Sequence, residues 1–167
     1  MKVALVALFF AVSALAQGQL TEPAAACGPE NINFNVKLGD TNLQAEPALG
    51  KALVYFIHES GGSGMLAYPT TKMAMDGAWV GANHGNSYFF ISVEPGKHHL
   101  CTTLQSSFVD NRVELAHFMA EAGKTYYFRT RLVMSKEVEL LELVPIDSDQ
   151  GKYLIASFPL SISTPKK

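Results

Sequence analysis

The stretch Asn86–Thr103, NSYFFISVEPGKHHLCTT, constrains the fold of this chain more than any other. Two apolar runs flank Glu94-Pro95-Gly96-Lys97, a tight-turn signal in which Gly relieves the steric cost of reversal. It reads as strand, turn, strand, and runs of the same kind recur along the chain. Ile32, Phe34, Val36 and Leu38 alternate with Asn33, Asn35 and Lys37, the period of a half-buried strand. Lys51–His58 is apolar on both parities, as suits a strand covered on both faces. Asp76-Gly77 lies between apolar runs and marks a hairpin, because both central residues take φ > 0. Val113–Ala120 and Lys124–Val133 read as strands joined by Glu121-Ala122-Gly123, and Val138–Val144 as one more. Gly39–Gly50, Glu59–Pro69 and Gln105–Asn111 are loops by composition.

One helix is expected, Ser148–Phe158. Asp147 or Ser148 caps it, Leu154, Ile155 and Phe158 share a face, and Pro159 ends it. Gly151 weakens it by about 1 kcal/mol relative to Ala. Short strands in succession, with no helices between them, exclude a parallel α/β sheet. An antiparallel sandwich or open barrel is therefore the expected architecture, as a single domain over residues 31–160. The tail 161–167 is expected to be disordered.

The first sixteen residues stand apart. Lys2 precedes the apolar run Val3–Leu15, and Ala14-Leu15-Ala16 supplies the small-x-small pattern of a signal-peptidase site. The run is shorter than the roughly 20 residues a spanning helix needs. Residues 1–16 are thus expected to be a signal peptide and 17–30, rich in Ala, Gln and Pro, a flexible lead-in. Localisation is expected to be secreted or periplasmic, with no membrane span after cleavage. Formal charge is −2, or −3 without Lys2, and the basic residues do not cluster, so nucleic acid is excluded as a partner.

In an exported chain, Cys27 and Cys101 are expected to form a disulfide. Lipidation of Cys27 is the competing use, but a lipobox should adjoin the apolar run, and Gln17–Pro23 intervenes.

The short catalytic patterns fail. Gly61-Gly62-Ser63-Gly64-Met65 lacks the second-flank Gly of a nucleophile elbow, and no helix follows. Gly123-Lys124-Thr125 has Phe118 where a phosphate-binding loop requires Gly. His98 and His99 point to opposite faces of a strand and cannot easily grip one ion, and no i, i+2 histidine pair exists. Met65, Met73 and Met75 are possible soft ligands, although methionine in a strand more often fills core. Glu137, Glu139 and Glu142 are expected to pair with Arg129 and Arg131 across a solvated face. Tyr88-Phe89-Phe90 and Tyr126-Tyr127-Phe128 put aromatics on both faces of their strands. The face away from the core must be covered or be a binding patch; the C-terminal helix and the lead-in are the candidate covers.

Met75-Asp76-Gly77, Trp79-Val80-Gly81, Asn86-Ser87-Tyr88-Phe89 and Glu94–Leu100 together resemble a family of uncharacterised exported bacterial proteins, many of them lipoproteins. Phe118–Phe128 fits the same pattern, so the likeness runs over about residues 51–144. The Pro95-Gly96-x-His98 turn also resembles that of surface-associated β-sandwich modules. The resemblance implies an all-β, immunoglobulin/prealbumin-like sandwich and brings no catalytic residues. The expected function is non-enzymatic: binding an unknown protein or envelope component, or a structural role at the cell envelope, without a cofactor. The alternative is a periplasmic metal-binding protein using His and Met.

Overall fold

Period two along the sequence becomes two faces in space. The computed structural model describes residues 26–41, 43–60, 69–105, 112–134 and 139–167. Its elements are β1 (Phe34–Thr41), β2 (Ala52–Ser60), β3 (Thr70–Met75), β4 (Ala78–His84), β5 (Ser87–Val93), β6 (Gly96–Leu104), β7 (Val113–Ala120), β8 (Thr125–Met134), β9 (Glu139–Ile146), α1 (Ser148–Ser157) and β10 (Pro159–Pro165). The expected signal peptide, lead-in residues 17–25 and the loop holding Gly61–Gly64 and Met65 lie outside the described residues.

The fold is mostly β, in two sheets that do not close into a barrel. One has six strands in the order β1-β10-β5-β2-β8-β9, the other four in the order β4-β3-β6-β7. Between them pack Val54, Phe56, Phe89, Phe128, Met73 and Leu100, with the Phe56 and Phe89 rings 5.2 Å apart. Full burial of one such side chain contributes about 1.5–3 kcal/mol.

Three expectations need correction. The sandwich is not purely antiparallel: β2 runs parallel to β8 from Leu53↔Thr125 to Ser60↔Leu132. Strand β2 is buried on both faces, and so accepts β5 on one side and β8 on the other whatever the direction of each. Second, the tail is not disordered through 161–167, because residues to Pro165 form β10, antiparallel to β1 from Phe34↔Pro165 to Thr41↔Pro159. Leu160 and Ile162 carry a period-two signal there that the flanking Pro and Lys outweigh on composition alone. Third, Ala26–Glu30 of the lead-in is not a loose segment. Ala26 is buried, and its carbonyl accepts a hydrogen bond from Gly77 N.

The pairing settles whether Glu94–Lys97 makes a plain hairpin or a crossing between sheets, which the sequence leaves open. The Glu94–Lys97 turn carries the chain between sheets, since β5 pairs with β2 and β6 pairs with β3 and β7. Asp76 (φ 51°) and Gly77 (φ 81°) make the β3–β4 hairpin as expected.

The helix forms where expected. The Asp147 carboxylate accepts from Asp149 N and Gln150 N at 2.9 Å each, a cap worth about 1 kcal/mol. It lays Leu154 and Ile155 on Tyr55, Tyr88 and Tyr127, the outer face of the six-stranded sheet. Gly151 has a reason that propensity does not show. A Cβ there would overlap the Tyr127 ring, which is held against Tyr55 by stacking at 5.3 Å and 12°. Gly151→Ala should therefore destabilise by about 1–3 kcal/mol despite a helix preference of about 1 kcal/mol for Ala. Urea unfolding of the two proteins measures this, and a stabilised variant would refute the close approach.

Candidate functional site

Strand parity assigns each residue of the four-stranded sheet to one face. Leu100 and Thr102 on β6 look inward beside Met75 and Met73, while His99, Cys101 and Thr103 look outward. Cys101 is joined there to Cys27, with Cα atoms 5.1 Å apart. The disulfide fastens Ala26 and Cys27 over Ala74, Cys101 and Trp79. Trp79 Nε1 donates to the Pro29 carbonyl at 2.7 Å. Lys72 donates from Nζ to the Ile32 carbonyl at 2.7 Å and lies 4.2 Å from the Trp79 ring centre. Burial lowers the Lys72 pKa, partly offset by Glu30. Both candidate covers are thus in use, α1 on one sheet and the end of the lead-in on the other.

Among the described residues the cover stops short of β7. Val113, Leu115 and Met119 stand on the outward parity at 43%, 43% and 59% exposure, with exposed His117 between the last two. Strand β7 is also an edge, paired only with β6 among the described strands. Proteins usually blunt such edges with Lys, Pro or bulges. Strand β1 has Lys37 and a register shift after Leu38, β9 has Glu142 and Pro145, and the β4 pairing contains a bulge at Met73/Ala74. Strand β7 has none of these: its eight residues stay in unbroken register with β6, and its only formal charge is the partly buried Glu114. The outcome is an edge in unbroken register, near β9 of the other sheet, with an apolar stripe beside it.

The histidines separate by role. His98 points inward and donates from Nδ1 to Asp76 Oδ2 at 2.6 Å and from Nε2 to the Glu94 carbonyl at 2.8 Å. Both partners are acceptors, so the ring is an imidazolium in this arrangement. Burial opposes that charge, but the Asp76 carboxylate and the Glu94 carbonyl outweigh it and raise the His98 pKa. Burial likewise opposes the Asp76 charge, yet the His99 backbone N–H at 2.8 Å and His98 lower its pKa. This pair ties the Asp76–Gly77 turn to the sheet crossing and leaves no ring nitrogen for a reaction. His84 Nδ1 meets Thr70 Oγ1 at 2.9 Å. His58 is buried within the six-stranded sheet with neither ring nitrogen hydrogen-bonded. His99 and His117 face each other directly across β6 and β7, with ring centres 6.3 Å apart. No sequence signal announces that pair, because the residues lie 18 positions apart and only the β6–β7 register joins them.

Met73 and Met75 are core residues, and Met65 lies outside the described set. Among the described residues no group of three His, Cys, Asp or Glu could hold a metal ion. Arg129 pairs with Glu59 at 3.2 Å, across the parallel β2–β8 ladder instead of towards β9. Arg131 does stand opposite Glu142, whereas Glu137 lies outside the described residues. A cleft of about 270 Å³ lies between Gln44–Glu46 and the start of α1, over Tyr55 and Tyr127. The Tyr55 hydroxyl in it is engaged by the backbone of Ala45, accepting from N at 2.8 Å and donating to O at 3.4 Å.

A family model described as a protein of unknown function, DUF2846, matches residues 48–142, from the approach to β2 into β9. No curated protein and no solved structure matches the chain.

Proposed function

The chain belongs to the DUF2846 family, whose function is unknown, and we propose that it is an exported, non-enzymatic sandwich module that docks an envelope protein on β7. The observation that carries this reading is the uncovered stripe Val113, Leu115 and Met119 beside an unprotected edge strand. The occupant is an extended segment of the partner, adding as a strand to the edge and laying alternate apolar side chains on the stripe. Its contact residues should be uncharged or acidic, since Lys97 stands opposite Met119 on the same face.

Export is supported by the leader-like first sixteen residues and by the Cys27–Cys101 disulfide, which favours an oxidising compartment. No helix of the described residues is long and apolar enough to cross a membrane. The non-enzymatic reading rests on how the ionisable groups that meet are engaged: His98 with Asp76, Arg129 with Glu59, and Lys51 with Glu94 at 2.8 Å. An immunoglobulin/prealbumin-like sandwich is the fold reading that accompanies it.

A photo-crosslinking residue at Leu115, introduced into the full chain in its producing cell, tests the docking. A discrete adduct with one envelope protein is expected from position 115 and not from Tyr153, which is exposed on α1. Val113→Lys, an edge charge of the kind that blocks strand addition, should abolish it. Equal labelling from both positions, no adduct, or an adduct of twice the chain mass would each overturn the envelope-partner reading.

A further inference from the structure

We propose that His99, His117 and Met119 form a copper site on the outer face of the four-stranded sheet. The proposal does not rest on partner docking; it comes from register and donor chemistry. His99 and His117 occupy directly opposed positions on β6 and β7. Directly opposed Cβ atoms are about 4.5–5.5 Å apart, close enough for two imidazoles to share one ion. A ring nitrogen bound at about 2.0 Å places its ring centre about 3 Å from the metal. Two rings on one ion with a third donor stand about 5 to 6 Å apart. The observed 6.3 Å between centres lies just beyond that span, and a change of side-chain torsion is needed to close it. Among the described residues neither ring has a competing hydrogen bond of the kind that occupies His98, and His117 is solvent-exposed.

Met119 supplies the third donor. It follows His117 by two residues on the same strand, so it shares the outward face and lies diagonally across from His99. Its side chain is exposed, at 59%. Two imidazoles and a thioether suit copper. Imidazole alone binds zinc and copper, while the soft sulfur selects Cu⁺. Lys97, opposite Met119 on that face, adds a positive charge that penalises a divalent ion more than a monovalent one. The donor set is therefore one for Cu⁺ above Zn²⁺. Adjacent His98 plays no part, because it faces the core and is held by Asp76.

The test uses the mature, untagged protein after chelator treatment, with Cu⁺ kept reduced by ascorbate and reported by a coloured competing chelator. The wild-type protein should withdraw one equivalent of Cu⁺. His99→Gln and His117→Gln should each weaken binding by more than about tenfold. Met119→Ile should weaken Cu⁺ several-fold while leaving Zn²⁺ binding unchanged, a split that a merely structural role would not produce. His84→Gln, on a different strand and bonded to Thr70, is the control and should bind as wild type. Far-ultraviolet circular dichroism confirms that each variant is folded. Wild-type protein that leaves all Cu⁺ with the chelator, or variants at 99 and 117 that bind as tightly as wild type, overturn the site. Equal loss in the His84 variant also overturns it, by showing diffuse histidine binding.

Discussion

Opening the Cys27–Cys101 disulfide should lower the unfolding free energy by about 4 kcal/mol, the largest change expected from any single covalent alteration here. The two cysteines are 74 positions apart, so the bond removes a long loop's worth of freedom from the unfolded chain. The folded side depends on it as well. Ala26 and Cys27 cover Ala74, Cys101 and Trp79, and the backbone near them holds Trp79 through Pro29 and Lys72 through Ile32. Without the bond, those few contacts must retain the segment against its own conformational entropy, about 1–2 kcal/mol for each residue ordered. Urea unfolding of Cys27→Ala/Cys101→Ala against wild type measures the loss. Trp79 is the only tryptophan, so its fluorescence reports whether the cover has lifted. A loss below about 1 kcal/mol with unchanged emission would mean that packing alone holds the segment.

Acid should cost the fold about 3 kcal/mol through His58 alone. This side chain lies on the inward parity of β2 between Ser87 and Thr130, fully buried, with both ring nitrogens unpaired. Burial pushes its pKa from 6.5 down to about 4. The nearby Thr130 backbone, outside hydrogen-bond geometry, pulls the other way without reversing the shift, and His84 adds repulsion. In the unfolded chain His58 takes up its proton near pH 6.5, but in the folded protein only near 4. The stabilisation it contributes is therefore complete above pH 6.5, declines as the pH falls, and is gone below about 4.

His98 acts in the opposite sense. Its raised pKa makes its contribution full below the ordinary histidine value and lost as pH rises through the folded one. Asp76, lowered, gives way only in stronger acid, as pH falls through its folded pKa. Between pH 6.5 and 4 the protonation of His58 should therefore govern the slope. Urea midpoints at pH 7 and pH 4 should converge in His58→Met, which also removes two unpaired buried nitrogens. A wild-type midpoint that stays flat over this range would refute the assignment.

Local chemistry made much of this legible before any tertiary contact was known. The Ile32–Leu38 alternation became β1, the doubly apolar Lys51–His58 became the fully covered β2, and Asp76-Gly77 turned the β3–β4 hairpin. Asp147 capped a helix ending at Ser157, and the two cysteines joined. Each of these signals is carried by residues near one another in sequence or, for the cysteines, by number alone.

Partner choice was not legible. Glu94–Lys97 has the chemistry of a hairpin turn, yet β5 and β6 belong to different sheets. Phe90 consequently packs on Tyr55 under α1, at 5.3 Å. The same holds for the parallel β2–β8 ladder, for β10 and for the opposed His99 and His117. Turn and strand propensities are set within a few residues, so the sequence by itself determined where most of the described chain extends, turns and coils into α1, the strand β10 excepted. Which strands become neighbours depends on burying both faces of β2 and on covering two sets of aromatics at once. That is a condition on the whole chain, and only the tertiary structure decided it, together with the bare stripe on β7 left when the two covers were used.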